Sequence, residues 1–309
     1  MKKSLLLFAM LLVFVSTVFS AQYEFRVMAV KGNAEYYTGK GSWKKLHTGT
    51  KIYKGYKVKL NKKAYLGILH KTGKTLELKN KGKWSTKQLV AKLNKKSSNV
   101  AGKLTNYIVS QLGEEDDGEF NYREGMETTG AVERSLNFGS QNGASAFVQL
   151  KSPRKINFTT NTAKVVWAKV ENENEYVFTI TDRFDRVVHT KIISGNSYLI
   201  DAKELTLKSD EYYFWYVACN NARTVKSPAC AFSFLSQTSI AKIHREFEQL
   251  KSELGDENNA LNQIVFGNFY EMNYLPKEAL KYYKKAVELE PSVTEYQTIY
   301  TNFLKRSNF

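Results

Sequence analysis

The sequence predicts a multidomain protein: an all-β domain with short helices, then a β-sandwich, then α-helical hairpins at the C-terminus. With 309 residues, the chain is too long for one ordinary domain and has a length typical of two or three. Polar and apolar residues alternate with period two in short segments between residues 22 and 84 and again between 147 and 236, the pattern of half-buried strands. After residue 237 the apolar residues follow helical spacing instead.

The composition fits folded domains and excludes several other classes of protein. Hydrophobic residues make up 42% of the chain and charged residues 25%, so each domain can bury a core. With 18 glycines and 4 prolines, the chain is neither collagen-like nor of low complexity.

Residues 1–20 have the three parts of a secretory signal peptide. A basic start at Lys2 and Lys3 is followed by an apolar run from Leu5 to Val15 and by small residues before Ala21. The apolar run is shorter than the roughly 20 residues of a membrane-spanning helix. We therefore expect an exported protein, periplasmic or secreted, that is soluble after cleavage.

The first β domain is predicted over residues 22–84. The segments 57–60 and 75–79 alternate polar and apolar residues, and glycine-containing turns separate the short strands. Strands this short and this closely spaced suggest a small barrel or sandwich.

The order of motifs in this domain resembles that of FecR-like domains over about 60 residues. The family usually has Asp where this chain has Tyr56, and a second Asp is replaced by Thr72. The resemblance implies an extracytoplasmic sensing or scaffolding module of the bacterial envelope. The motifs that carry it are Gly32-Asn33-Ala34-Glu35, Trp43-Lys44-Lys45-Leu46, Gly49, Lys54-Gly55, Val58, Ala64, Leu66-Gly67-Ile68-Leu69 and Thr72-Gly73-Lys74-Thr75-Leu76.

Positive charge is concentrated in this part of the chain. Residues 22–112 contain 21 Lys and Arg against three Glu, a net charge of +18 within a total of +16. Such a domain attracts polyanions, and outside the cytoplasm we expect an anionic glycan or membrane surface and no nucleic acid. A solvated lysine-rich surface is the alternative. The candidate polyanion-binding residues are Lys44, Lys45, Lys51, Lys54, Lys57, Lys59, Lys62 and Lys63.

Two segments connect the β domains. Residues 85–112 have the apolar spacing of a helical extension, with Ser85 or Thr86 as its N-cap; its apolar stripe either packs on the first domain or lies on an anionic membrane. Residues 113–146 form a predicted acidic linker. Its run of carboxylates from Glu114 to Glu119 lacks the alternating ligand spacing of a calcium loop.

Residues 147–236 resemble a fibronectin type III or immunoglobulin-like sandwich. Trp167 ends an early strand, Tyr176 opens the next, and Leu207 precedes Tyr213 by the six residues of a tyrosine corner. The turn that usually reads Pro-Gly is Ser209-Asp210 here. The resemblance implies either a spacer or a binding module.

Cys219 and Cys230 are the only cysteines. In an oxidising compartment, two cysteines near a hairpin end are candidates for a disulfide bond. Two free thiols in the core are the alternative.

Residues 237–309 are predicted to be helical, and residues 260–293 resemble one tetratricopeptide repeat. Counting back from Pro291 puts Gly267, Tyr270, Ala279, Tyr283 and Ala286 at the small and aromatic positions of the repeat. One repeat cannot bury both its faces, so we expect the flanking helices to complete the stack. The resemblance implies either a ligand groove or a capping role. The candidate groove residues are Leu261, Ile264, Asn268, Glu271 and Met272.

No catalytic pattern withstands inspection. Ser239-Ile240-Ala241-Lys242 and Lys71-Thr72-Gly73 match motifs of penicillin-binding enzymes but occur in reversed order in different domains. The four histidines are scattered without zinc-ligand spacing, and we expect no metal and no cofactor.

We therefore expect a non-enzymatic scaffold or binding protein of the cell envelope. Its basic domain would dock an anionic surface or glycan, and its sandwich and helices would hold a protein partner. The alternatives are a FecR-like sensor that regulates a membrane partner and, third, an enzyme with two carboxylates that acts on cell-wall glycan.

Overall fold

The computed structural model describes residues 22–96, 100–104 and 147–309. The predicted signal peptide, the acidic linker and most of the second half of the helical extension lie outside these ranges. Within them, no helix is both long enough and apolar enough to cross a bilayer. The described chain contains several antiparallel sheets followed by C-terminal helices, which confirms the predicted order of β and helical parts.

The first β domain consists of two four-stranded sheets packed face to face. One sheet has the order β4-β1-β6-β7 and the other β3-β2-β5-β8, with antiparallel neighbours throughout. The strands are β1 (Phe25–Lys31), β2 (Ala34–Tyr37), β3 (Lys44–Lys45), β4 (Lys51–Ile52), β5 (Lys57–Leu60), β6 (Tyr65–His70), β7 (Thr75–Leu78) and β8 (Gly82–Ser85).

A short helix, α1 (Thr86–Ala91), closes this domain. Ser85 is its N-cap: the Ser85 hydroxyl accepts a hydrogen bond from the Gln88 amide, and the Gln88 side chain accepts one from the Ser85 amide, which completes a capping box. Leu89 is fully buried in the core between the two sheets. The described part of the helical extension therefore packs on the β domain.

The second β domain is a sandwich of two sheets, with strand orders β10-β13 and β12-β11-β14-β15-β9. All neighbours are antiparallel except β15 and β9. Large aromatic side chains fill its core, among them Trp167, Tyr176 and Trp215. The strands are β9 (Lys155–Phe158), β10 (Thr162–Val166), β11 (Glu175–Thr181), β12 (Val187–Ser194), β13 (Ser197–Asp201), β14 (Tyr213–Cys219) and β15 (Cys230–Phe234).

The sandwich contains the corner that the spacing of Leu207 and Tyr213 predicts. Both side chains are buried, and the Tyr213 hydroxyl accepts a hydrogen bond of 3.0 Å from the Lys208 amide. That contact fixes the crossover into β14.

Four helices form the C-terminal part: α2 (Gln237–Leu254), α3 (Ala260–Met272), α4 (Pro276–Leu289) and α5 (Thr294–Ser307). The helices α3 and α4 form a close antiparallel hairpin. Gly267 allows this approach, because a Cβ atom at that position would lie 2.7 Å from the Tyr283 ring.

The first β domain and the helices share one hydrophobic core. Met28, Tyr65 and Leu69 on the outer face of the β1–β6 sheet are buried together with side chains from α2 to α5. Gly67 faces the same way, and a Cβ atom there would lie 2.9 Å from the Tyr296 hydroxyl. Residues 22–96, 100–104 and 237–309 thus form one folded unit, although the sequence suggested separate domains.

A polar network, buried at Tyr65 and Tyr296 and exposed at Lys79, crosses this junction. The Glu77 carboxylate accepts hydrogen bonds from the Tyr65 hydroxyl at 2.5 Å and from the Leu261 amide at 2.9 Å. The Tyr296 hydroxyl lies 2.7 Å from that of Tyr65. Lys79 then joins Glu77 to Glu290 through ion pairs of 3.0 and 2.7 Å. The start of α3 is therefore held by a carboxylate of β7.

The sandwich has its own core and meets the helices through a smaller polar contact. The Asn157 amide donates to the Tyr274 carbonyl at 2.8 Å. The Lys155 ammonium lies 4.4 Å from the Tyr212 ring centroid and 4.0 Å from that of Tyr274, a cation–π arrangement between the two units. Burial lowers the pKa of Lys155.

Candidate polyanion-binding face

The outer face of the β3-β2-β5-β8 sheet presents lysines in register. Because successive side chains of a strand point to opposite faces, Val58 and Leu60 enter the core while Lys57 and Lys59 point outward. We call this surface the basic face. One row of side chains on this face crosses all four strands. In the order β3, β2, β5 and β8 it consists of Lys45, Glu35, Lys59 and Lys83, and each residue lies opposite the next. A second row contains Tyr37, Lys57 and Ser85.

An aromatic pair lies on the basic face. The Trp43 and Tyr37 ring centroids are 5.5 Å apart with an interplanar angle of 30°. The Lys59 and Lys83 ammonium nitrogens lie 4.7 and 4.9 Å from the centroid of the Trp43 ring. These are cation–π distances, so Trp43 holds two lysines of neighbouring strands close to one ring.

Charge on the face is only partly neutralised. Lys59 forms an ion pair of 2.5 Å with Glu35, and the side chains of both remain partly exposed. Lys83 is exposed and has no carboxylate partner among the described residues. Glu35 is also the only acidic residue in either row. The face therefore carries net positive charge next to an aromatic surface.

Only some of the eight candidate lysines meet on this face. Lys45, Lys57 and Lys59 lie on it, and Lys44 lies opposite Tyr36, whose side chain turns toward the core. Lys51 belongs to the other sheet. Lys54, Lys62 and Lys63 are exposed in the turns at the two ends of β5.

Sequence reasoning missed Lys83, Trp43 and Tyr37 as members of the site. The period-two alternation of Lys83 with Trp84 indicates an outward lysine. The pairing of β8 with β5 brings Lys83 next to Lys59, and no local sequence pattern predicts that pairing.

The predicted groove on α3 is wrong, because the structure fills it. Leu261 and Ile264 are fully buried in the core shared with the β1–β6 sheet. Asn268 is also buried, and its side-chain oxygen accepts a hydrogen bond of 2.9 Å from the Tyr283 hydroxyl. Glu271 forms an ion pair of 2.8 Å with Arg306. Of the five candidate residues, Met272 alone is exposed.

The predicted disulfide bond between Cys219 and Cys230 is also wrong: both are buried free thiols. Cys230 lies opposite Trp215, whereas Cys219 lies four residues further along β14, opposite Tyr176. Four residues of strand separate the two positions by about 13 Å, but a disulfide requires Cα atoms within about 7 Å. Burial raises the pKa of Cys230 to about 12 and, together with nearby Glu173, raises the pKa of Cys219.

We expect both thiols to be unreactive toward alkylating reagents in the folded protein and reactive once it unfolds. The thiolate is the nucleophile, and burial with a raised pKa suppresses it. An alkylating reagent should label neither cysteine rapidly under native conditions and both in denaturant without reductant. A Cys219→Ser variant should yield one thiol. If the denatured protein were not labelled and two thiols became reactive only after reduction, the disulfide prediction would be correct after all.

One described cluster has the outline of a catalytic arrangement. The His70 ring contacts the Thr72 hydroxyl at 2.8 Å and the Glu24 carboxylate at 3.4 Å. Burial lowers the pKa of His70 despite the opposing effect of Glu24. The adjacent Gly73 is packed so closely under Ala101 that a Cβ atom would lie 2.2 Å from its backbone. The cluster therefore joins the residue that precedes β1 to the turn between β6 and β7, which Ala101 covers.

The other chemical motifs of the sequence lie apart from one another. Lys71-Thr72-Gly73 forms the turn between β6 and β7, whereas Ser239 and Lys242 lie in the first turns of α2. Over the described ranges, no three His, Cys, Asp or Glu side chains are grouped to hold a metal ion.

Comparison with known proteins gives a likeness in fold only. No family model matches the chain, and no curated protein matches it. A Fn3-like protein from Clostridium thermocellum is 18% identical, with 30% of this chain and 97% of that chain covered and a TM-score of 0.23. The fibronectin(III)-like modules of Clostridium thermocellum CbhA are 7% identical, with 29% of this chain and 96% of that chain covered and a TM-score of 0.21.

The FN1–FN3 domains of chicken CNTN1 are 6% identical, with 70% of this chain and 64% of that chain covered and a TM-score of 0.20. The neighbours found are thus fibronectin III-like domains. The description of residues 147–236 as a sandwich rests on its own strand order, its aromatic core and the Tyr213 corner.

Proposed function

We propose that this chain is a non-enzymatic, exported binding protein of the cell envelope that docks onto an anionic glycan or surface through the basic face. The sandwich is then the part that holds a protein partner, since the α3 groove is filled by the chain itself. We further propose that the first β domain is FecR-like. The hairpin α3–α4 is tetratricopeptide-like in this proposal, which the packing of Gly267 against Tyr283 supports.

The observation that carries the proposal is the register of charge on the basic face. Lysines from three strands are aligned beside Trp43, with one carboxylate among them. A lysine-rich surface that served solubility alone would not require this alignment. Attraction of a polyanion to such a face is electrostatic and weakens as salt screens it.

The experiment is retention of the mature chain on an immobilised acidic polysaccharide over a salt gradient. Replacing Lys45, Lys57 and Lys59 by Gln should weaken binding at low salt roughly 100-fold, since a lysine near an anionic surface contributes about 1 kcal/mol. The matched control replaces the exposed sandwich lysines Lys151, Lys164 and Lys203 by Gln and should bind nearly as the parent does.

Two outcomes contradict the proposal. If both triple variants lost the same amount of polysaccharide affinity, binding would depend on the net charge of the protein and not on the basic face. Capture of one stoichiometric membrane protein, unaffected by salt and by the Lys45, Lys57 and Lys59 replacements, would favour a sensor instead.

A further inference from the structure

The surroundings of Trp43 point to the chemical class of the ligand. Lys59 and Lys83 lie directly opposite each other on β5 and β8, and like charges in that position destabilise a sheet. Their attraction to the Trp43 ring offsets part of this cost. Lys59 is paired with Glu35 but stays partly exposed, whereas Lys83 is exposed beside the ring.

We propose that Trp43, Lys59 and Lys83 form the binding subsite for one unit of an acidic polysaccharide. In it, the Trp43 and Tyr37 rings contact the C–H groups of a sugar ring, and the Lys83 ammonium, with Lys59, binds its carboxylate or sulfate. The inference rests on the proposed function and narrows its ligand from any anionic surface to a sugar polymer.

The alternation of charge in the first row favours a sugar polymer over a layer of lipid phosphates. Lys45 and Lys59 lie two strands apart, about 10 Å, with Glu35 between them. The negative charges of a continuous phosphate layer would repel the Glu35 carboxylate. A polysaccharide places hydroxyl groups between its charges, and a hydroxyl can donate a hydrogen bond to the Glu35 carboxylate.

The test compares two probes on the full mature chain: polygalacturonate oligosaccharides, and phosphatidylcholine vesicles that contain phosphatidylglycerol. Trp43→Leu should weaken polygalacturonate binding about tenfold and change vesicle binding less than twofold. Trp43→Phe should retain most of the affinity for polygalacturonate. Thermal melting of each variant verifies that the fold is kept.

A second readout does not depend on affinity alone. Polygalacturonate should change the tryptophan emission of the parent much more than that of Trp43→Phe. Of the other three tryptophans, Trp167 and Trp215 are fully buried in the sandwich, and the half-buried Trp84 packs against the core on the opposite face of β8 from Lys83.

The possible results separate this inference from the proposed function. If the Lys45, Lys57 and Lys59 replacements abolish polygalacturonate binding while Trp43→Leu leaves it unchanged, the subsite is refuted and the basic face stands. If Trp43→Leu weakens both probes equally, the preference for sugar is refuted. If none of the variants changes binding, the subsite and the proposed function both fail.

Discussion

A chain that ends at residue 236 is expected to lose the fold of its first β domain and to keep that of its sandwich. The truncation removes α2 to α5, which cover the outer face of the β1–β6 sheet. Met28, Tyr65 and Leu69 would then face water. Each large apolar side chain contributes about 1.5–3 kcal/mol when it is buried, so these three account for roughly 5–9 kcal/mol, comparable with the whole stability of a small domain.

Polar groups of the junction add to the effect. Glu77 would lose the Leu261 amide as a donor, and Tyr65 would lose contact with Tyr296. The remaining core between the two sheets is small and depends on short strands. We therefore expect the truncated β domain to be unfolded or aggregated at room temperature.

Limited proteolysis and near-ultraviolet circular dichroism measure this outcome. Cleavage should concentrate in residues 22–96 of the truncated chain, while residues 147–236 resist it. A fragment of residues 147–236 alone is the control and should melt cooperatively, because its core is separate. Protection of residues 22–96 equal to that in the full chain would show that the shared core is not needed.

The predicted order of β domains, sandwich and helices could be read from the sequence because those elements leave local patterns. The strands of the sandwich alternate, and the spacing from Leu207 to Tyr213 sets a corner within a few residues. Gly267 and Tyr283 lie sixteen residues apart in one helical hairpin, where the short turn between α3 and α4 brings the two helices side by side.

The shared core could not be read in the same way. The run Tyr65-Leu66-Gly67-Ile68-Leu69 is apolar at every position, which is typical of a strand buried on both faces. This signal indicates that something covers the second face. Its cover is Leu261 and Tyr296, which lie 194 and 229 residues after Gly67 along the chain. No local pattern encodes that pairing.

The site was predictable in composition and not in arrangement. The lysine density of residues 22–112 indicates a basic surface, but strand pairing decides which lysines meet. The same limit explains why the disulfide prediction was wrong. Cys219 and Cys230 are close in sequence and lie on neighbouring strands, yet the β14–β15 register places them four residues apart.

Stability is expected to fall steeply above pH 10 because of two buried tyrosines at the shared core. Burial raises the pKa of Tyr65, and the nearby Tyr296 and Glu77 raise it further. Burial also raises the pKa of Tyr296, again with Glu77 nearby. In the unfolded chain a tyrosine ionises near pH 10. Above that pH the unfolded state loses two protons that the folded state keeps, so unfolding becomes more favourable as pH rises.

The size of the effect follows from the number of protons. Each tyrosine that stays protonated in the fold lowers the free energy of unfolding by about 1.4 kcal/mol per pH unit, so the pair contributes roughly 2.7 kcal/mol per unit. Below pH 10 this contribution to stability is fully present. Tyr65→Phe/Tyr296→Phe removes both hydroxyls and should reduce the slope by that amount, and Tyr296→Phe alone by half.

Denaturant unfolding at several pH values between 9 and 12 measures the slope, which is taken above pH 10, where the tyrosines of the unfolded chain are ionised. The slopes are compared, and not the stabilities at one pH, because the double variant also loses the hydrogen bond from Tyr65 to Glu77. Other tyrosines with raised pKa values, such as Tyr270 and Tyr282, leave a residual slope in every variant. An undiminished slope in the double variant would mean that water reaches these hydroxyls in the folded protein and that the junction between sheet and helices is open.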